Sequence, residues 1–109
     1  RERMLVAEAA LERGQYPLAV EEYRRAAAET RDARLAERAA RVAFEHGQDA
    51  ALARVAREWL EREPDSEVAR RFLAVAALHL DRVDEAEAEF AKLLDTAYPT
   101  PAEGFGALL

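Results

Sequence analysis

Cysteine is absent from these 109 residues, so no disulfide and no thiolate metal site can form, and the redox compartment leaves no trace. Serine occurs once, at Ser66, and histidine only at His46 and His79, which leaves few groups for nucleophilic or metal chemistry. Glycine and proline number four each, too few for a chain built of turns and short strands. Lysine occurs once against 15 arginines, a bias that suits a GC-rich, bacterial genome as much as any function. No apolar run approaches the roughly 18 residues of a membrane span, and no signal-peptide pattern opens the chain. The sequence starts at Arg1 without a methionine. It is therefore expected to be a piece of a longer protein, and its compartment is left open: cytoplasmic, or periplasmic if an upstream signal was removed.

What the chain has is alanine, at 26 positions, and charge, at 35% of positions. Good helix formers with few breakers predict an all-α chain. Its length suits one domain, burying roughly two-thirds of the surface the unfolded form exposes. The formal net charge of −6 argues against a general nucleic-acid binder.

A period of 33 to 34 residues organises the sequence. Gly14, Gly47 and Asp81 each close an Ala-rich apolar stretch, and other columns keep the same register. Ala7, Ala40 and Ala74 share one, with Val6, Ala39 and Leu73 just before it. Ala19, Leu52 and Ala86 share another, followed by Tyr23, Ala56 and Phe90, then by Ala26, Trp59 and Leu93. Such a period marks stacked units, each unable to bury its apolar face alone. The repeats run over about 1–32, 33–66 and 67–99, with a partial unit over 100–109.

Each unit reads as two helices. Leu5, Val6, Ala9 and Ala10 recur at helical spacing up to Gly14, a natural left-handed cap. Pro17 fits the first turn of the next helix, where its missing N–H costs nothing. The pattern predicts helices over 2–13, 17–29, 33–46, 49–62, 66–80 and 84–95. Asp32, Asp49, Asp65 or Ser66, and Asp84 are the expected N-caps, with Glu87 completing a capping box. A seventh helix is expected from Thr100, with Pro101 in its first turn and Glu103 as reciprocal partner, although Gly104 and Gly106 lower its propensity. Its Phe105, Leu108 and Leu109 would be apolar with nothing left in the chain to cover them.

Over about residues 1–97 these columns resemble the tetratricopeptide repeat (TPR) family. That family's 34-residue helix-turn-helix has a small residue in the first helix, Ala then an aromatic in the second, and a closing Pro. Ala7, Ala40 and Ala74 match the first feature, Ala19 with Tyr23 and Ala86 with Phe90 the second, and Pro64 the third. The first-helix Trp of the family is replaced by Arg3, Ala36 and Arg70. Repeat two exchanges its sizes, with Leu52, Ala56 and Trp59 where Ala, aromatic and Ala are usual, a volume swap along one face. Arg31 stands where repeat one should close on Pro, and in repeat three Pro99 comes a residue late.

The resemblance implies a right-handed α-solenoid of stacked antiparallel helix pairs, whose first helices line a concave face that binds peptides or proteins. The family's lining columns fall on Met4, Glu8 and Glu12, on Arg34, Glu37, Arg38, Arg41 and Glu45, and on Val68, Arg71, Phe72, Val75 and His79. Arg34, Arg38 and Arg41 share a helical face, and guanidinium groups suit carboxylates. This cluster, with Arg71, could receive acidic side chains or a peptide C-terminus. The plainer alternative pairs these arginines with Glu37 and Glu45 on a solvated surface. The family's carboxylate clamp is absent, since Glu8 and Arg41 occupy two of its Asn columns. Trp59, Tyr16, Tyr23, Phe44 and Phe90 read as internal packing, whereas Phe72 fits core and groove equally.

Catalysis has little support. Neither histidine belongs to a His-Glu-x-x-His or Glu-x-x-His pattern, no Gly-rich phosphate loop exists, and Ser66 is explained by capping. No cofactor and no metal are expected. The leading expectation is a non-enzymatic scaffold holding a protein or peptide partner, including one with acidic groups. The alternative is a structural or self-association module, forming a homodimer through Phe105, Leu108 and Leu109 of the C-terminal helix. Pentatricopeptide-like RNA binding is disfavoured by the acidic balance.

Overall fold

Three turns of one design punctuate the chain. Gly14 and Gly47 hold φ at 73° and 68°, and Asp81 at 58°. This is the left-handed region, free of steric cost for Gly and tolerated by Asp. In each turn the next N–H reaches back five residues: Gln15 to Ala10, Gln48 to Ala43 and Arg82 to Ala77, all at 2.8 Å. These are the six-to-one bonds of a helix ending on a left-handed residue.

The computed structural model describes residues 2–98. Over them the chain is all-helical, with no strand: α1 (Glu2–Glu12), α2 (Tyr16–Thr30), α3 (Ala33–Glu45), α4 (Asp49–Arg62), α5 (Glu67–His79) and α6 (Val83–Ala97). Every boundary lies within two residues of its expected place. The helix expected from Thr100, with Phe105, Leu108 and Leu109, lies outside the described residues, as does Pro99.

Two expected caps form. Asp32 accepts from the Arg34 N–H and Ser66 from the Ala69 N–H. Asp49 and Asp84 do not cap, because α4 and α6 start at or before them. The turns inside the hairpins are so short that Gln15, Gln48 and Arg82 end one helix and begin the next, without side-chain caps. Asp84 with Glu87 is therefore no capping box. Asp49 and Asp84 instead lie in a first turn, where a carboxylate opposes the helix dipole. The turn after α2 explains the missing proline, since Arg31 adopts φ 58°, which a proline ring forbids.

Each helix packs on the next, and α2 also meets α4 while α3 meets α5. The hairpins thus stack side by side in chain order. The radius of gyration is 16.3 Å, against about 13 Å for a compact domain of 100 residues, so the stack is elongated. Alanine makes the close approach possible. Ala7, Ala40 and Ala74 are wholly buried in one column, as is Ala39 in the column before it. In repeat two Leu52, Ala56 and Trp59 are buried like Ala19, Tyr23 and Ala26 in repeat one, so the exchanged sizes fill one continuous core. Trp59 satisfies its indole N–H on Glu63 at 2.6 Å.

Candidate functional site

Where α3 and α5 lie side by side, their outer turns leave a groove of about 320 Å³. From α3 come Glu37, Arg41 and Phe44, spaced four and three residues apart and so on one face. From α5 come Val68, Arg71, Phe72 and Val75 by the same spacing rule. Phe72 answers to both sequence readings: half-buried, it stands 6.2 Å from the Phe44 ring on the groove side and 6.5 Å from the buried Trp59.

Five of the nine residues expected to bind a partner meet here: Glu37, Arg41, Arg71, Phe72 and Val75. His79 flanks them, its ring 6.5 Å from Phe44 and its Nδ1 3.1 Å from an Asp49 carboxylate oxygen. The others go elsewhere. Arg34 turns back to Asp32 at 3.1 Å. That guanidinium, helped by the Arg34 N–H, holds the Asp32 carboxyl below its usual range. Arg38 lies over the Tyr23 ring, 5.5 Å from its centre, in a cation–π contact. Glu8 is exposed on α1, away from the α3/α5 groove, and Glu12 and Glu45 are exposed too.

The three α3 arginines therefore do not act as one cluster. Arg41 bonds Glu37 at 2.5 Å, in the manner of the solvated-surface reading, while Glu45 takes no part. Arg71 is different. Among the described residues it makes no ion pair, and it also borders a second groove of about 510 Å³ between α5 and α6, with Glu67, Phe90, Leu93, Leu94 and Ala97. One guanidinium thus stands on the ridge between two largely apolar troughs.

Two aromatic expectations need correction. Phe44 and Phe90 are not internal, being 47% and 39% exposed. Phe44 projects from the groove face of α3, and its place at three residues after Arg41 is the signal that could have found it. Phe90 sits in a column whose other members are covered by the following helix, and among the described residues no helix follows α6. Tyr16 is half-buried and stacks flat on His46, ring centres 3.5 Å apart. Trp59 and Tyr23 are internal as expected.

No helix of the described residues is long and apolar enough to cross a membrane. No protein-family model matches the sequence, and no curated protein matches it.

Proposed function

We propose that this chain is a TPR-like right-handed solenoid that acts as a protein-interaction scaffold without enzymatic activity, taking a peptide or helix of a partner in the groove between α3 and α5. The observation that carries the reading is Arg71, an unpaired cation among the described residues, set beside an apolar floor of Phe44, Val68, Phe72 and Val75. The groove's volume lies at the small end of ligand sites, so it suits a few side chains of a longer segment rather than an enclosed small molecule. An apolar anchor on Phe72 and a carboxylate on Arg71 would fix such a segment in register. The net charge of −6 supports a protein rather than a nucleic-acid partner.

The test is capture of partners by the wild type, by Arg71→Glu and by Val75→Arg, with helicity followed by circular dichroism. Both substitutions are expected to lose the captured proteins at unchanged helicity. An unchanged set of captured proteins would remove the groove from consideration. Binding of single-stranded RNA that weakens steeply with salt would replace the reading with a nucleic-acid one.

A further inference from the structure

Among the described residues Glu37 is the one anionic side chain of the α3/α5 groove, and it shares that groove with Arg41 and Arg71. Two cations against one anion leave a net positive charge there, within a chain whose net charge is −6. The cleft around Arg3 has the opposite balance, with Glu2, Glu22 and Glu29 against its single arginine. An acidic segment with an apolar anchor is therefore complementary to the α3/α5 groove and repelled by the cleft around Arg3.

The place of Glu37 is not explained by what it holds together. Its bond from Arg41 stays within one helix, and both side chains remain in water, 42% and 51% exposed. Glu58 and Glu89, which tie neighbouring helices, each meet two cations and are more deeply buried. Among the described residues Arg41 is the only hydrogen-bond partner of the Glu37 side chain. An exposed pair four residues apart contributes little to folding and is easily exchanged. Once released, the Glu37 carboxylate turns to water and leaves no charge buried without a partner.

We propose that Glu37 is an internal competitor for the acidic residue of a bound segment. Its carboxylate occupies Arg41 in the free chain. The segment's own carboxylate displaces it, so that Arg41 joins Arg71 in holding the segment above Phe44, Val68 and Phe72. The proposal rests on the reading of this groove as the partner site. It fixes the occupant's chemistry, an acidic peptide with an apolar side chain near its carboxylate, and it gives Glu37 a role in selection. A segment without an acid gains nothing from Arg41, because it has nothing with which to replace Glu37.

The probe comes from a display library of random peptides selected on the full 109-residue chain. A length of about twelve residues is enough to span the roughly 10 Å that α5 rises from Val68 to Val75. Enriched peptides are expected to carry Asp or Glu within a few positions of an apolar residue, and to lose binding to Val75→Arg. In a titration followed by fluorescence anisotropy, Glu37→Gln should bind such a peptide about fivefold more tightly than the wild type. The same substitution made in an Arg41→Gln chain should change nothing, and the peptide with its acids replaced by amides should bind wild type and Glu37→Gln alike. Circular dichroism checks that helicity is unchanged. Unchanged or weaker binding by Glu37→Gln overturns the proposal. So does an equal gain with and without Arg41, which marks a long-range charge effect. Enrichment of Lys- or Arg-rich peptides would make Glu37 a docking group and overturn it too. Each of these results, obtained with peptides that Val75→Arg blocks, leaves the groove standing as the partner site. If no peptide is enriched, or if the enriched ones ignore Val75→Arg, the groove reading fails and the competitor role falls with it.

Discussion

The middle repeat and its two neighbours fill the same space with different chemistry. In repeats one and three an arginine of the first helix bonds a glutamate nineteen residues later in the second, Arg3 to Glu22 at 3.0 Å and Arg70 to Glu89 at 2.6 Å. In repeat two the same two positions are Ala36 and Val55, both buried. Repeat two compensates for its small Ala36 with the large Leu52 and Trp59 farther along the hairpin. The column therefore requires filled volume and matched charge, not a given residue type. An arginine meets that demand because its aliphatic stem covers apolar surface while its head finds a carboxylate.

The largest way to break this comparison is to empty the middle repeat. Trp59→Ala should cost about 3–5 kcal/mol, the usual range for a buried aromatic truncated to alanine. That is a large share of the total stability of a domain this size, and urea denaturation would measure it. Because each repeat touches only its neighbours, hydrogen exchange should show protection lost first in α3 and α4. Equal loss across all six helices would mean that the stack melts as one unit.

A smaller effect sharpens the comparison. Glu89→Ala leaves the Arg70 guanidinium, whose side chain is 19% exposed, with only the Pro64 carbonyl. The cost should be about 3 kcal/mol, the low end for a buried pair losing one partner. Arg70→Ala with Glu89→Val installs the middle repeat's own solution and should return to within about 1 kcal/mol of the wild type. If the two single costs simply add, the ionic and apolar solutions are not interchangeable.

The parts of the fold legible in the sequence are those set by local sterics. A glycine or aspartate closing a helix in the left-handed region and an alanine at closest approach recur in register, so Gly14, Gly47, Asp81 and the Ala7 column show the period and the helix pairs, whereas Arg31, at φ 58°, carries no such mark. The pairing of Arg3 with Glu22 is hidden because the partners sit on different helices, beyond the reach of three- and four-residue rules. The exposure of Phe44 and Phe90 is hidden for a related reason: burial depends on which helix comes next, not on the residue. Arg41 and Arg71 were legible as groove columns, while Arg34 and Arg38 were drawn off by Asp32 and Tyr23, contacts that spacing along α3 does not reveal.

The smallest effect concerns the ionic link between repeats one and two. Arg24 bonds Glu21 of its own helix at 2.9 Å and both carboxylate oxygens of Glu58 on α4, at 3.1 and 3.0 Å. Arg24, with Arg25 adding to it and partial burial opposing, lowers the Glu21 pKa from 4.5 to about 2. A pKa depressed in the folded state means that the stabilisation is whole above the unfolded value of 4.5 and fades as pH falls toward about 2. Glu21 keeps a third of its side chain in water, so solvent screening holds the contribution to about 0.5 kcal/mol. Glu21→Gln should therefore lower the denaturation midpoint slightly near neutral pH, and the gap to the wild type should close on acidification through that window. Ala36 and Val55, buried at the corresponding positions of the middle repeat, have no proton to gain and are indifferent to the same titration. A gap that persists in acid would mean that Glu21 acts through its packing, while the Arg24–Glu58 pair still joins the first two repeats.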